Sequence, residues 1–253
     1  MFKGIVLAGG TASRLFPLTR VTNKHLLPVG KIPMIYWPIA RLIECGVRDI
    51  MIITSRDHMG DIVGLLGSGR EIDVNFTYRV QDQAGGIAQA LLLTQNFVAE
   101  DCCMVILGDN VFTSPINVLT DKFRKHGAGA CIAMKEVKDP ERYGVAQTDS
   151  KGIVISIEEK PNKPKSNMAV TGAYVYSPVV FDIIKTLKPS GRGELEITDV
   201  NNAYIKKNEL IGVQLDKKCD WTDAGTFESL LHANKLANKL EVPKVVEKIM
   251  KRL

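Results

Sequence analysis

The chain has 253 residues, 45% hydrophobic and 24% charged, with a net charge of +5. That length buries a real core and suits one large α/β domain or two small ones. Lysines and arginines are scattered rather than blocked, which argues against nucleic acid and for a pocket that takes small anions.

Phe2–Ala8 reads as a first strand, running into the small residues Gly9 and Gly10 and then to Arg14. A helix follows over Pro33–Cys45, with Ile35, Ile39, Leu42 and Ile43 on one side. Asp49–Thr54 reads as a strand, Met59–Leu66 as a helix, Val74–Val80 as a strand and Gly86–Val98 as a helix. Cys102–Leu107 is a wholly apolar strand ending in Gly108-Asp109-Asn110. Short apolar runs alternating with amphipathic segments predict βαβ units and a mostly parallel sheet. From about residue 130 the rhythm changes to strands at Ala130–Glu136, Gly144–Thr148, Ile153–Glu159 and Ala169–Tyr176. These predict antiparallel additions to the sheet. Helices return at Pro178–Leu187, Glu196–Lys206 and Phe227–Leu240, and Val242–Leu253 shows helical spacing.

Five cysteines occur without C-x-x-C spacing, which predicts reduced, buried thiols. The four histidines are isolated, with no metal-ligand spacing between them. The first apolar run stops too early for a secretory leader, and no stretch is long enough to cross a bilayer. The expected setting is cytoplasmic, without a membrane partner.

The loop after the first strand suits close approach of backbone N–H groups to phosphate. It is neither G-x-G-x-x-G nor a P-loop. Arg14 is a charged fork suited to two phosphate oxygens, and Lys24 enters another loop just before Leu26-Leu27-Pro28. On their own, both read as surface charges rather than ligands.

The run Gly9-Gly10-Thr11-Ala12-Ser13-Arg14-Leu15-x-Pro17-x-Thr19, followed by Lys24 and Leu27-Pro28, resembles the signature of the sugar-phosphate nucleotidylyltransferases. The likeness continues through Val80–Leu91, Leu107–Asn110, Asp139–Ala146 and Glu158–Pro161. It extends to Ala169–Tyr176, Arg192–Asp199 and Trp221–Gly225, and so covers essentially the whole chain. The resemblance implies a nucleotide-diphospho-sugar transferase fold, α/β with a Rossmann-like, mostly parallel mixed sheet flanked by helices. It implies one domain, with a nucleotide-binding half over about 1–130, a sugar-phosphate half over about 131–225 and C-terminal helices over 226–253.

The implied reaction joins glucose 1-phosphate to dTTP, giving dTDP-glucose and pyrophosphate by in-line attack on the α-phosphorus. Bringing two anions together makes positioning and charge neutralisation the main tasks. The resemblance assigns Asp109 and Asp223 to Mg²⁺, Arg14 to the departing pyrophosphate and Lys24 to the α-phosphate. Lys160 and Arg192 hold the sugar's phosphate, and Gly144, Glu159 and Val170 the glucose. The base rests on Leu7, Ala8, Gly9 and Gly10, with Gln81 as its reader, Gly86 allowing close approach and Ser13 offering a hydroxyl. Homo-oligomerisation is implied too. Longer family members add a C-terminal extension with a second nucleotide site, so this chain resembles the short form.

Where the family carries Gly-Thr or Gly-Ser before the arginine, this chain has Ala12-Ser13. Ala12 is strained by about 1 kcal/mol if the loop keeps a backbone with positive φ. UTP remains an alternative to dTTP, because only the C5-methyl and the ribose 2′-hydroxyl separate them. A non-catalytic subunit should lack part of the set Arg14, Lys24, Asp109 and Asp223. A glycosyltransferase should show Asp-x-Asp, whereas Asn110 and Val111 follow Asp109.

Overall fold

The apolar run FKGIVLA forms a central strand because all of its side chains but Lys3 are buried, and Lys3 pairs with Asp49 at 2.8 Å. It opens a computed structural model that describes residues 2–10, 12–127 and 129–250. In chain order the first elements are β1 (Phe2–Ala8), β2 (Pro28–Val29), β3 (Ile32–Pro33), α1 (Tyr36–Glu44) and β4 (Asp49–Ser55). Next are α2 (Met59–Leu66), β5 (Asn75–Gln81), α3 (Ile87–Leu92), α4 (Gln95–Val98), β6 (Cys102–Leu107) and β7 (Asn110–Phe112). They are followed by α5 (Val118–His126), β8 (Ala130–Glu136), β9 (Gly144–Thr148), β10 (Val154–Glu159) and β11 (Met168–Tyr176). The last are α6 (Val180–Thr186), α7 (Ile197–Lys206), β12 (Leu210–Gln214), β13 (Trp221–Asp223), α8 (Phe227–Ala237) and α9 (Lys244–Met250).

The chain divides into two compact units, neither continuous in sequence. One comprises Phe2–Ala84, Ile106–Ile116 and Lys217–Leu253. Here β1, β4 and β5 lie side by side. β4 runs parallel to both β1 and β5, with Val6 opposite Ile52 and Ile52 opposite Tyr78. α1 packs on β1, and α2 on β4 and β5. The short strands β7 and β13 pair antiparallel, setting Asp223 opposite Asn110. α9 packs on α1 and on the turn Arg70–Ile72, where Val246 is buried. The end of that expected helix, residues 251–253, lies outside the described residues.

The other unit holds Gly85–Val105 and Asn117–Asp216. Its strands follow the order β10, β9, β11, β6, with β8 on β11 and β12 on β8. β9 pairs antiparallel with β10 and β11, and β8 antiparallel with β11. β12, which is not among the strands expected from sequence, runs parallel to β8. Together the strands and flanking helices make the mixed α/β fold that the sequence predicts.

Some boundaries need correction. The helix expected from Pro33 begins at Tyr36 because Pro33 pairs with Pro28 in a hairpin, and the Ile35 amide is bonded to the His25 carbonyl. The helix expected over Gly86–Val98 is two helices. Between them the Leu93 and Thr94 amides make tight bonds to Ala90 and Leu91, and the Thr94 hydroxyl also takes the Leu91 carbonyl. All five cysteines are reduced, four of them buried and Cys102 partly so. Burial pushes the Cys131 thiol up to about 12. Among the described residues, no helix is long and apolar enough to cross a membrane.

Candidate active site

In the parallel unit, the loop leaving β1 turns through Gly10 at φ 91° and Ala12 at φ 47°, ψ 34°. Ala12 thus occupies the left-handed region that costs an L-residue about 1 kcal/mol. The Thr19 hydroxyl and the Leu15 amide both donate to the Ala12 carbonyl at 3.0 Å, and Leu15 is fully buried. These anchors hold Ser13 and Arg14 outward, both exposed. Gln81 ends β5 in a buried position, and a Cβ added to Gly9 would meet its Oε1 at 2.6 Å. Gly9 and Gln81, far apart in sequence, therefore lie side by side.

Lys24 begins a short turn capped by Asn23, whose side-chain oxygen accepts the His25 amide at 2.9 Å and lies 2.6 Å from His25 Nδ1. Asn23 Nδ2 donates to the Ala8 carbonyl at 3.3 Å and to Thr54 Oγ1 at 3.4 Å. Lys24 Nζ reaches Asp109 Oδ2 at 2.5 Å, with only 15% and 14% of the two side chains exposed. Asn110 Nδ2 donates to Asp109 Oδ1 at 2.9 Å. Burial raises the carboxyl's pKa, but the Lys24 charge and the hydrogen bonds from Lys24 and Asn110 outweigh it and hold Asp109 well below the usual carboxylate range. His25 is lowered to about 3 by burial and then by the Lys24 charge, so its ring is neutral near pH 7. The sequence reading passed over His25. Its adjacency to Lys24 was the signal available.

Asp223 sits on β13 beside β7, and the Ala224 amide donates to the Asp109 carbonyl at 2.9 Å. A Cβ added to Gly225 would lie 3.0 Å from Asp223 Oδ2, 3.2 Å from Arg14 Nη2 and 3.6 Å from Asp109 Oδ2. Gly225 thus leaves open a hollow faced by two carboxylate oxygens and a guanidinium. Hard oxygen donors in a cradle that one methyl would fill suit Mg²⁺, which takes its remaining ligands from water and phosphate. Among the described residues, no group of three or more His, Cys, Asp or Glu is arranged for an ion. A metal here would rest on the pair alone.

The antiparallel unit gathers a second set. Glu159 ends β10 opposite Gly144. A Cβ on Gly144 would lie 3.3 Å from Thr198 Oγ1 and 3.5 Å from Glu159 Oε2. The Thr198 hydroxyl donates to Glu159 Oε2 at 2.6 Å. Lys160, at φ 43°, brings its Nζ to 3.5 Å from Glu159 Oε1. Arg192 Nη2 donates to Glu159 Oε1 at 3.3 Å and to Glu196 Oε2 at 2.8 Å, while its Nε reaches Glu196 Oε1 at 3.2 Å. Ser190 Oγ donates to Glu196 Oε1 at 2.7 Å. Glu196, Thr198 and Ser190 were not singled out from sequence, although the first two lie in the quoted run Arg192–Asp199. Asp199 is raised by burial and by the negative charges of Glu196 and Glu159.

Val170 lies in β11 opposite Met134, where the register shifts before Tyr174. Gly86, expected near the base, has φ 96° and is tight against backbone in this unit. A Cβ there would meet the Leu195 carbonyl at 2.5 Å, and the Leu195 amide donates to the Gly85 carbonyl.

A carboxylate just past a strand and paired with a lysine, a second one across a short ladder, and a guanidinium facing the same hollow define a site for polyanion chemistry. A family model described as "Nucleotidyl transferase" matches residues 3–239. The chain belongs to this nucleotidyl transferase family of enzymes. A glucose-1-phosphate thymidylyltransferase of Xanthomonas campestris pv. campestris (strain B100) is 46% identical over 234 residues, 91% of this chain and 79% of its own. One from Mycobacterium tuberculosis (strain CDC 1551 / Oshkosh) is 42% identical over 240 residues, 94% of this chain and 83% of its own. Among solved structures, a Bacillus anthracis protein assigned as a glucose-1-phosphate thymidylyltransferase, in complex with sucrose, is 54% identical. It aligns with TM-score 0.92 over 98% of this chain and 99% of its own. A UDP-glucose pyrophosphorylase complexed with UDP-glucose aligns with TM-score 0.84 at 26% identity, over 94% and 99% of the two chains.

Proposed function

We propose that the protein transfers the thymidylyl group of dTTP to glucose 1-phosphate, releasing pyrophosphate and forming dTDP-glucose. The observation that carries this reading is the hollow at Gly225, faced by Asp109, Asp223 and Arg14, with Lys24 on Asp109. The glucose-1-phosphate thymidylyltransferases named above support dTTP over UTP as the nucleotide.

Gln81, against Gly9, supplies a donor and an acceptor to the imide edge of the base. The backbone of Leu7, Ala8, Gly9 and Gly10 supports the base plane, and Ser13 lends a hydroxyl to the phosphates. Arg14 neutralises the departing pyrophosphate, and Lys24 the α-phosphate as negative charge shifts during attack. Asp109 and Asp223 would hold Mg²⁺, which when bound withdraws charge from the phosphate oxygens. Arg192 and Lys160 hold the sugar's phosphate, Glu159 accepts sugar hydroxyls, and the backbone at Gly144 and Val170 completes the clamp. No side chain is needed as a covalent nucleophile, because the sugar phosphate is itself the attacking group. Reduced thiols and small charged metabolites fit a cytoplasmic setting, and the family resemblance extends the proposal to a homo-oligomer.

The test is pyrophosphate release with Mg²⁺, crossing dTTP, UTP, CTP and GTP with glucose, galactose and mannose 1-phosphates. The expected best pair is dTTP with glucose 1-phosphate. A preference for UTP would make the protein a uridylyltransferase, and silence from every pair would remove the catalytic reading.

A further inference from the structure

Lys24 and a divalent ion have a claim on the same oxygen. Asp109 Oδ1 is engaged by Asn110, whereas Oδ2 carries Lys24 Nζ at 2.5 Å and also faces the hollow at Gly225. That hollow is lined by Asp223 Oδ2 and Arg14 Nη2 as well. Two carboxylates and two cations therefore balance locally. A free cation approaching this hollow meets no net negative charge, and it must displace an ammonium from a mostly buried partner. Breaking such a pair without replacing its charge is costly. A nucleotide changes the balance, because its phosphates offer Lys24 and Arg14 new anionic partners and release the carboxylates.

We propose that Lys24 is a placeholder for the divalent ion, holding Asp109 Oδ2 until the α-phosphate draws its ammonium away, so that metal binding waits on nucleotide. This rests on the roles given to Lys24 and Asp109 in the proposed reaction. It adds an order of events: nucleotide first, or nucleotide and metal together, but not metal alone. Lys24 thereby has two jobs, charge balance in the empty site and charge neutralisation in the reacting one. The placeholder also keeps the Asp109 carboxylate oriented just ahead of β7, ready when the ion arrives.

The experiment titrates Mn²⁺ into the full chain, without sugar phosphate, and reads free Mn²⁺ by electron paramagnetic resonance. Thymidine 5′-monophosphate supplies the single α-phosphate while competing little for the ion in solution. In wild type, Mn²⁺ alone should bind weakly, and saturating thymidine monophosphate should tighten it at least tenfold. Lys24→Gln should bind Mn²⁺ alone at least tenfold more tightly than wild type, even as turnover collapses. Lys24→Arg, which keeps the charge, should stay within about threefold of wild type. Adding Asp109→Asn to Lys24→Gln should abolish the gain.

Equal or weaker Mn²⁺ binding by Lys24→Gln overturns the proposal, as does a gain that survives Asp109→Asn. If the variants do not fold, the wild-type titration with and without thymidine monophosphate still decides, and no tightening overturns the proposal. Should pyrophosphate release fail while Lys24→Gln gains Mn²⁺ affinity, the proposed reaction falls and the competition for Asp109 stands.

Discussion

The candidate site residues of the parallel unit include a buried ion pair, and those of the antiparallel unit share a cation near the surface. Lys24 and Asp109 are 15% and 14% exposed and face each other at 2.5 Å. Arg192 is 45% exposed and divides one guanidinium between Glu159 and Glu196. A buried pair is preorganised and costly to break, so its partners act at fixed distances. A half-exposed, shared cation is screened by water and exchanges partners at little cost. The first arrangement suits charge stabilisation during reaction, and the second suits capture and release of a substrate. Changes at the carboxylates Asp109 and Asp223 should therefore appear mainly in turnover, and changes at Arg192 mainly in sugar-phosphate affinity.

The strongest way to break this contrast is Asp223→Asn. It should lower kcat about 10²–10³-fold, while nucleotide affinity measured without metal moves far less. Steady-state kinetics beside calorimetric titration of dTTP in EDTA checks it, and an equal loss in both would merge the two kinds of site. Next in size, Arg192→Ala removes a charge-assisted contact and should raise KM for glucose 1-phosphate about 10–100-fold, with KM for dTTP nearly unchanged. A fall in kcat alone would assign Arg192 to the reacting charge instead. Gln81→Ala should cost about 1–3 kcal/mol of nucleotide affinity and narrow the preference for dTTP over the other triphosphates. Competition assays among the four triphosphates read this directly, and an unchanged ranking would give base reading to another residue.

The smallest expected effect belongs to Ala12, and the structure now fixes its sign. At φ 47° the alanine is strained, so Ala12→Gly should relieve up to about 1 kcal/mol. Nucleotide affinity should rise by that much or less, with sugar-phosphate affinity unmoved. Weaker binding of dTTP would mean that the entropy of the added glycine outweighs the strain.

Long apolar segments were legible in the sequence because burial leaves its period in them. β1, α2, β6, β8 and β9 carry the bounds expected from their residues. β7 and β13 were not, since three residues apiece, partly polar, have no readable period. α5 was passed over as well, because its run VLTDKFRKH buries only Leu119, Thr120 and Phe123. β12, with Gly212 at its centre, lacks the side-chain alternation of a strand. In the site, the motif residues could be picked out one by one, but their partnerships could not. Lys24 and Asp109 are 85 positions apart, and only the fold brings ammonium to carboxylate. The same holds for the division of Arg192 between two glutamates, and for the open corner that Gly225 leaves beside Asp223.

The protein contains two tryptophans. Trp37 lies buried in α1, its indole N–H donating to the Val29 carbonyl at 3.2 Å. Trp221 starts β13, two residues before Asp223, and its indole N–H donates to Asn110 Oδ1 at 2.7 Å. Asn110 passes its own amide hydrogen to Asp109. One indole is therefore joined through a single amide to the site carboxylate Asp109, while the other bonds to the backbone of β2. If Asp109 exchanges Lys24 for a metal ion as proposed, emission from Trp221 should shift on that exchange, and comparing Trp221→Phe with the unaltered chain in the same titration checks it. An indole one amide away from the site carboxylate would then report the filling of the site with no label attached.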